Sequence, residues 1–225
     1  MRKTIIHLIF AAVPIILMPG VSSAADPACR VKAQPLLDLS FQFPPVVYER
    51  NKSRVQLSME SSGSDRIPTS NEIHTAGLTT YRETQRVEVG GFVGKLQNGT
   101  FCFMTNKAKV VVGYDRVTVA VDRNYPPGSC EYGAVFDHEE RHVAIIKQAY
   151  LNELPALRST LQAGIVGRGA AIGRTAKEAQ SRAAAQIGAL LRPHMQAVSQ
   201  KRRAANAELD TPESYRRTRE LCSNW

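Results

Sequence analysis

Long hydrophobic runs are scarce in this chain. The only one, Ile5 to Met18, lies at the extreme N-terminus. No later stretch approaches the roughly 20 apolar residues that a membrane-crossing helix needs, so stable membrane insertion is not expected of the remainder. Cysteine is limited to Cys29, Cys102, Cys130 and Cys222, with no C-x-x-C spacing, which argues against cysteine as a zinc ligand. Aromatic residues make up 7%, and no strand interleaves them with basic residues. Together with the lack of a reading-helix motif, this argues against nucleic acid as a partner. No internal repeat and no heptad pattern is present, so a solenoid or a coiled coil is not expected.

The N-terminal run has the form of an export signal. Arg2 and Lys3 precede it, and Pro19, Gly20 and the small residues Val21 to Ala25 follow. Residues 1–25 are therefore expected to be cleaved, placing the mature chain in the periplasm or outside the cell. The formal charge of +9 becomes +7 once Arg2 and Lys3 leave. A basic chain of this kind is soluble and is able to attract an anionic envelope component. In an oxidising compartment four cysteines suggest two disulfides, and three pairings exist. The favoured pairing is Cys102 with Cys130 and Cys29 with Cys222.

Residues 26–225 are expected to form a single domain, β-rich over 35–125 and helical over 130–225. Alternation marks Leu39–Phe43 and Arg54–Met59 as strands, and another follows near Thr79–Val89. Asn98-Gly99 is a hairpin turn signal. Phe101–Phe103, Lys109–Val112 and Val117–Val121 then read as a meander, with Gly113-Tyr114-Asp115 as a turn. Glu60–Asn71, rich in Ser, Gly and Asp, reads as a loop. After Pro126-Pro127-Gly128 the pattern becomes helical. One helix is expected from Glu131 to about Leu161, disturbed at Pro155. A second runs from Thr175 to Ala204, with Ala179, Ala183, Ile187 and Leu190 or Leu191 on its inner face. Asp210-Thr211-Pro212-Glu213 resembles a further helix start. The fold class expected is α+β: a mostly antiparallel N-terminal sheet followed by two long helices.

The first of those helices carries His138-Glu139-Glu140-Arg141-His142. In this H-E-x-x-H pattern the two histidines lie one turn apart on one helix face, so both imidazoles are able to bind one metal ion. Val135, Ile145, Ile146 and Ala149 share that face, which turns it inward. Glu139 stands beside it, placed to take a proton from a water on the metal. The expected cofactor is zinc, with Glu139 as general base. A catalytic zinc needs a third protein ligand. The H-x-x-G-x-x-H continuation is absent, and Glu153 lies three turns past His142, too far along the helix. Downstream, Glu178, His194, Glu208, Asp210, Glu213 and Tyr215 remain as candidates; Glu178 also suits an i,i+4 partner of Arg182 and Asp210 also suits a helix cap.

An H-E-x-x-H helix in an exported chain, preceded by Cys130 and Tyr132 and followed by a long helix, resembles a bacterial family of uncharacterised domains described as secreted zinc-dependent proteases. The resemblance spans roughly residues 35–225. Members tend to end in Tyr-Asp-x-x-Thr-x-His-Gly and a later Trp. Here that place reads Leu209-Asp210-Thr211-Pro212-Glu213-Ser214-Tyr215-Arg216, with Trp225 beyond. Asp210 matches the family Asp, while Glu213 stands in place of Thr and Tyr215 in place of His. The resemblance implies a zincin-type metallopeptidase acting on a peptide or protein substrate, with Asp210 as the first choice for third ligand. Two alternatives keep the zinc site: a catalytically weak or inactive envelope protein that binds an anionic or protein partner, and a hydrolase of a non-peptide amide.

Overall fold

The computed structural model describes residues 29, 35–62, 75–223 and 225. The expected export signal, residues 1–25, lies outside them, as does most of the loop expected at Glu60–Asn71. Among the described residues, five strands and four helices follow in the order β1 (Leu36–Gln42), β2 (Val47–Glu49), α1 (Arg54–Ser62), β3 (Gly77–Lys95), β4 (Phe101–Val121), α2 (Cys130–Gly167), β5 (Ala171–Gly173), α3 (Ala176–Leu209) and α4 (Pro212–Glu220).

β4 is the spine of the sheet. β3 leads into the Asn98-Gly99 turn, where Gly99 holds φ 82°, and pairs antiparallel along the whole of one β4 edge. The other edge takes β5 antiparallel at Phe101–Phe103, then β1 parallel at Lys107–Gly113, then β2 parallel at Thr118–Ala120. The path β1–β4–β2 is thus parallel throughout. This overturns the expected antiparallel N-terminal sheet followed by two long helices. β1 and β2 pair with a strand far along the sequence rather than with each other, α1 interrupts the strand-rich half, and α4 follows the long pair.

The expected meander is also a single strand of 21 residues. Gly113 is no turn: at φ 134° it packs against the Gln42 backbone, and an added Cβ would lie 2.1 Å from the Gln42 carbonyl oxygen. Asp115 is the extra residue of a bulge opposite Arg82 and Glu83, and it pairs with Arg82 at 2.7 Å. The bulge keeps one face apolar across the irregularity. Ala108, Val110, Val112 and Tyr114 point into the core on one side of it, Val117 and Val119 on the other.

α2 and α3 cover that face. Ser129 caps α2 by accepting from the Tyr132 N–H at 3.1 Å, and Pro155 lies inside the helix without ending it. Val143, Ile146, Tyr150, Leu157 and Leu161 of α2 meet Ile187, Leu191 and Val198 of α3 in the core. The two helices are antiparallel: Gly164 faces Leu190, Thr160 faces His194, Glu153 faces Lys201 and His142 faces Asn206. The end of α3 is thereby brought back to the H-E-x-x-H turn of α2.

The disulfides are Cys29–Cys102 and Cys130–Cys222. They replace the expected pairing of Cys102 with Cys130 and Cys29 with Cys222. Cys102 lies at the end of β4 that pairs with β5, while Cys130 opens α2 a full strand length away, so the two cannot meet.

Candidate metal centre

His138 and His142 sit on the inner face of α2, with side chains 8% and 13% exposed. Their Nε2 atoms are 3.2 Å apart. Asp210, the C-cap of α3, directs Oδ1 between them, 3.1 Å from each Nε2. Thr211, not Asp210, caps α4 by accepting from the Ser214 N–H. Two donors each about 2.0–2.1 Å from a tetrahedral zinc stand about 3.3 Å apart, so this triangle has the dimensions of three ligand positions around one ion. His138, Glu139 and His142 likewise offer ligand atoms within 4.8 Å of one another and can hold a metal ion.

The hydrogen bonds around the triangle favour a cation at its centre. His142 Nδ1 donates to Asn206 Oδ1 at 3.0 Å, so in the neutral imidazole the lone pair lies on Nε2. That lone pair faces a carboxylate oxygen and a second imidazole nitrogen, an arrangement that repels unless a proton or metal lies between. His138 Nδ1 is buried and has no hydrogen-bond partner among the described residues. Tyr215 donates its hydroxyl to Asp210 Oδ1 at 3.0 Å, and its ring lies 5.4 Å from that of His138.

Electrostatics separate the groups. Burial alone would raise Asp210, but hydrogen bonds to both histidines and Tyr215 outweigh it and hold its carboxyl well below the usual range. Burial pushes the Tyr215 hydroxyl far up, and the Asp210 carboxylate adds to the effect. Burial disfavours charge on His142, yet its bonds to Asp210 and Asn206, with the nearby Glu139 carboxylate, raise its pKa. Glu139, 4% exposed, is raised by burial, partly offset by Thr79 and the two imidazoles.

Glu139 is held by β3. Thr79 Oγ1 donates to Glu139 Oε2 at 2.7 Å, and Oε1 lies on the side of Gly77. A Cβ on Gly77 would lie 2.6 Å from that Oε1 and 2.5 Å from Val135 Cγ1, so only glycine lets β3 pass this close to α2. Together these elements surround a cavity of about 950 Å³, into which His138, Glu139, His142 and Asp210 all open.

The expected residues His138, Glu139, His142 and Asp210 therefore converge. Tyr215 reaches Asp210 rather than the histidine nitrogens. His194 is elsewhere: its Nδ1 pairs with Glu153 at 2.7 Å and its Nε2 with Thr160 at 2.9 Å, between the two long helices. Asp137 is exposed. Asn206 and Thr79 were not expected. Asn206 carries one signal, its place one turn before Asp210 on the same helix, whereas Thr79 carries none. Comparison with protein-family profiles, curated proteins and solved structures finds no match for the chain.

Proposed function

We propose that the chain is an exported zinc-dependent metallopeptidase, with His138, His142 and Asp210 as metal ligands and Glu139 as general base. The observation that carries this reading is the triangle of His138 Nε2, His142 Nε2 and Asp210 Oδ1, with edges of 3.1–3.2 Å, facing a cavity that also holds Glu139. Zinc held there supplies Lewis acidity, polarising a carbonyl and lowering the pKa of a water molecule to about 7. The protein's own groups do the rest. Thr79 holds one carboxylate oxygen of Glu139, so the other is free to take a proton and return it to the leaving amine. Burial raises the pKa of Glu139, the direction that suits a carboxylate that both accepts and gives up a proton. Tyr215 holds Asp210 through its single hydroxyl donor.

Two disulfides point to an oxidising, non-cytoplasmic compartment, in keeping with export. No helix among the described residues is long and apolar enough to cross a membrane.

The test is elemental analysis of the purified mature chain beside His142→Ala, followed by a peptidase assay of Glu139→Gln. About one zinc per chain in the wild type, none in His142→Ala, and a zinc-loaded but inactive Glu139→Gln support the reading. No zinc in either chain after incubation with the metal at neutral pH would sink it. Zinc without hydrolysis of any peptide library would favour the envelope-binding alternative.

A further inference from the structure

The cavity beside the metal centre is lined by side chains of opposite charge. Asp210, with Glu139 near it, lies just before the start of α4. Arg219 lies in the last turn of α4, and Arg54 of α1, Tyr125 and Trp225 join it in the lining at that end of the helix. These four are linked. Trp225 donates its indole N–H to the Arg219 carbonyl, its ring meets Tyr125 edge-on at 5.7 Å, and the Arg54 guanidinium lies over Tyr125 at 5.3 Å.

Charge balance distinguishes the two arginines. Arg54 pairs with buried Asp122 at 3.3 Å and donates to the Tyr125 hydroxyl, so its charge is answered within the protein. The Arg219 guanidinium has no partner among the described residues. The neighbouring acids of α4 are taken, since both Glu213 and Glu220 pair with Arg216. Arg219 is exposed on the cavity wall, so its charge faces the opening with no answering acid among the described residues.

Its position gives that charge a meaning. Tyr215, Thr218 and Arg219 line the cavity from one face of α4. Arg219 stands four residues beyond Tyr215, about 6 Å along the helix axis. That distance is about two residues of extended peptide. We propose, building on the peptidase reading above, that this end is a carboxylate-binding subsite. The preferred substrates then carry an acidic side chain within about two residues of the bond cut. Arg219 supplies the charge-assisted hydrogen bonds, and the aromatic pair supplies an apolar wall for the side-chain methylenes.

The test reads binding without catalysis. Trp225 is the only tryptophan in the chain and lines this end of the cavity, so its fluorescence reports occupancy. Two blocked tetrapeptides, identical except for Glu or Gln at the second position, are titrated into the full mature chain kept metal-free with chelator. The Glu peptide is expected to bind roughly tenfold tighter than the Gln peptide. Arg219→Gln should abolish the difference and Arg219→Lys should restore part of it. Equal affinities in the wild type, no saturable change with the Glu peptide, or a Glu preference that survives in Arg219→Gln would each overturn the proposal. Because neither metal nor turnover enters the measurement, its outcome is separate from that of the zinc and peptidase tests.

Discussion

Asn206 gives the two imidazoles of the centre unequal support. His142 is oriented by a bond from Nδ1 to the Asn206 amide oxygen, whereas His138 Nδ1 has nothing to hold it among the described residues. A partner on the far nitrogen sets both the tautomer and the ring angle of a ligand histidine. Asn206→Ala is therefore expected to lower zinc affinity roughly 10–100-fold, measured by competition with a chromophoric chelator, with the fold unchanged by circular dichroism. Asp210→Asn should cost more, because it removes a ligand and its charge rather than an orienting bond. If Asn206→Ala binds zinc as tightly as the wild type, the amide is an incidental neighbour. At this scale the sequence was partly legible. H-E-x-x-H announces its own geometry because its spacing equals one helical turn. Asp210 is 68 residues past His142, and only the resemblance at the C-terminal motif set it ahead of the other downstream candidates. Asn206 follows from the antiparallel register of α2 and α3, which no local pattern records.

Between the long helices, that register is held by a buried polar cluster. Glu153 accepts from His194 Nδ1 at 2.7 Å and from Lys201 at 2.5 Å, and its side chain is only 11% exposed. Burial alone would raise Glu153, but Lys201 and His194 outweigh it and its pKa is lowered. A carboxyl depressed in the folded state contributes stability above its unfolded pKa and loses it as pH falls through the folded one. Glu153→Gln should thus destabilise the metal-free protein by roughly 1–2 kcal/mol at pH 7, since Lys201 is half exposed and screened. The expected Tm loss is roughly 2–8 °C. The gap to the wild type should close as pH falls below the ordinary carboxylate value of 4.5; a gap that stays constant down to pH 3 would assign the effect to packing instead. The contact of β3 with α2 yields a second expectation. Gly77→Ala presses on Glu139 and should cut kcat/KM roughly tenfold to a hundredfold while zinc content stays near one per chain. Unaltered activity in that variant would mean that β3 does not position the base. Elements were legible where one strong local rule governed them, as for α2, α3 and the Asn98-Gly99 hairpin. They were misread where two rules competed. Arg54–Met59 alternates like a strand, yet Ser53 and Gln56 form a reciprocal cap, with the Ser53 N–H bonded to Gln56 Oε1 at 2.8 Å and the Gln56 N–H to Ser53 Oγ at 3.3 Å. That cap starts α1, which buries Leu57 and Ser58. In β4, Gly113 and Asp115 look like turn residues but serve a close backbone approach and a bulge.

For the whole molecule, the disulfides divide the labour between sheet and site. Cys29–Cys102 ties the N-terminal side of the described chain to the far end of β4, where β5 pairs. Cys130–Cys222 ties the first residue of α2 to the segment just past α4. The helix with His138 and His142 and the helix that carries Tyr215 and Arg219 are thus covalently joined, 92 residues apart in sequence. This connectivity was not legible: three pairings satisfy the same four positions, and only the strand order decides among them. Each bridge closes a long loop in the unfolded chain, so removing either as a Cys-to-Ser pair should lower Tm by roughly 5–15 °C. The metal centre should tell them apart. Cys29→Ser with Cys102→Ser leaves α2, α3 and α4 tied together, and zinc affinity should change less than about threefold. Cys130→Ser with Cys222→Ser frees α4 to move off α2, loosening Tyr215 from Asp210 and Asp210 from the histidines. Zinc affinity should then fall roughly tenfold or more, in the manner of a lost supporting bond. Affinities measured well below each variant's own Tm separate site loosening from global unfolding. Equal losses in the two double variants would show that the bridges stabilise the chain uniformly and that α4 keeps its place through packing alone.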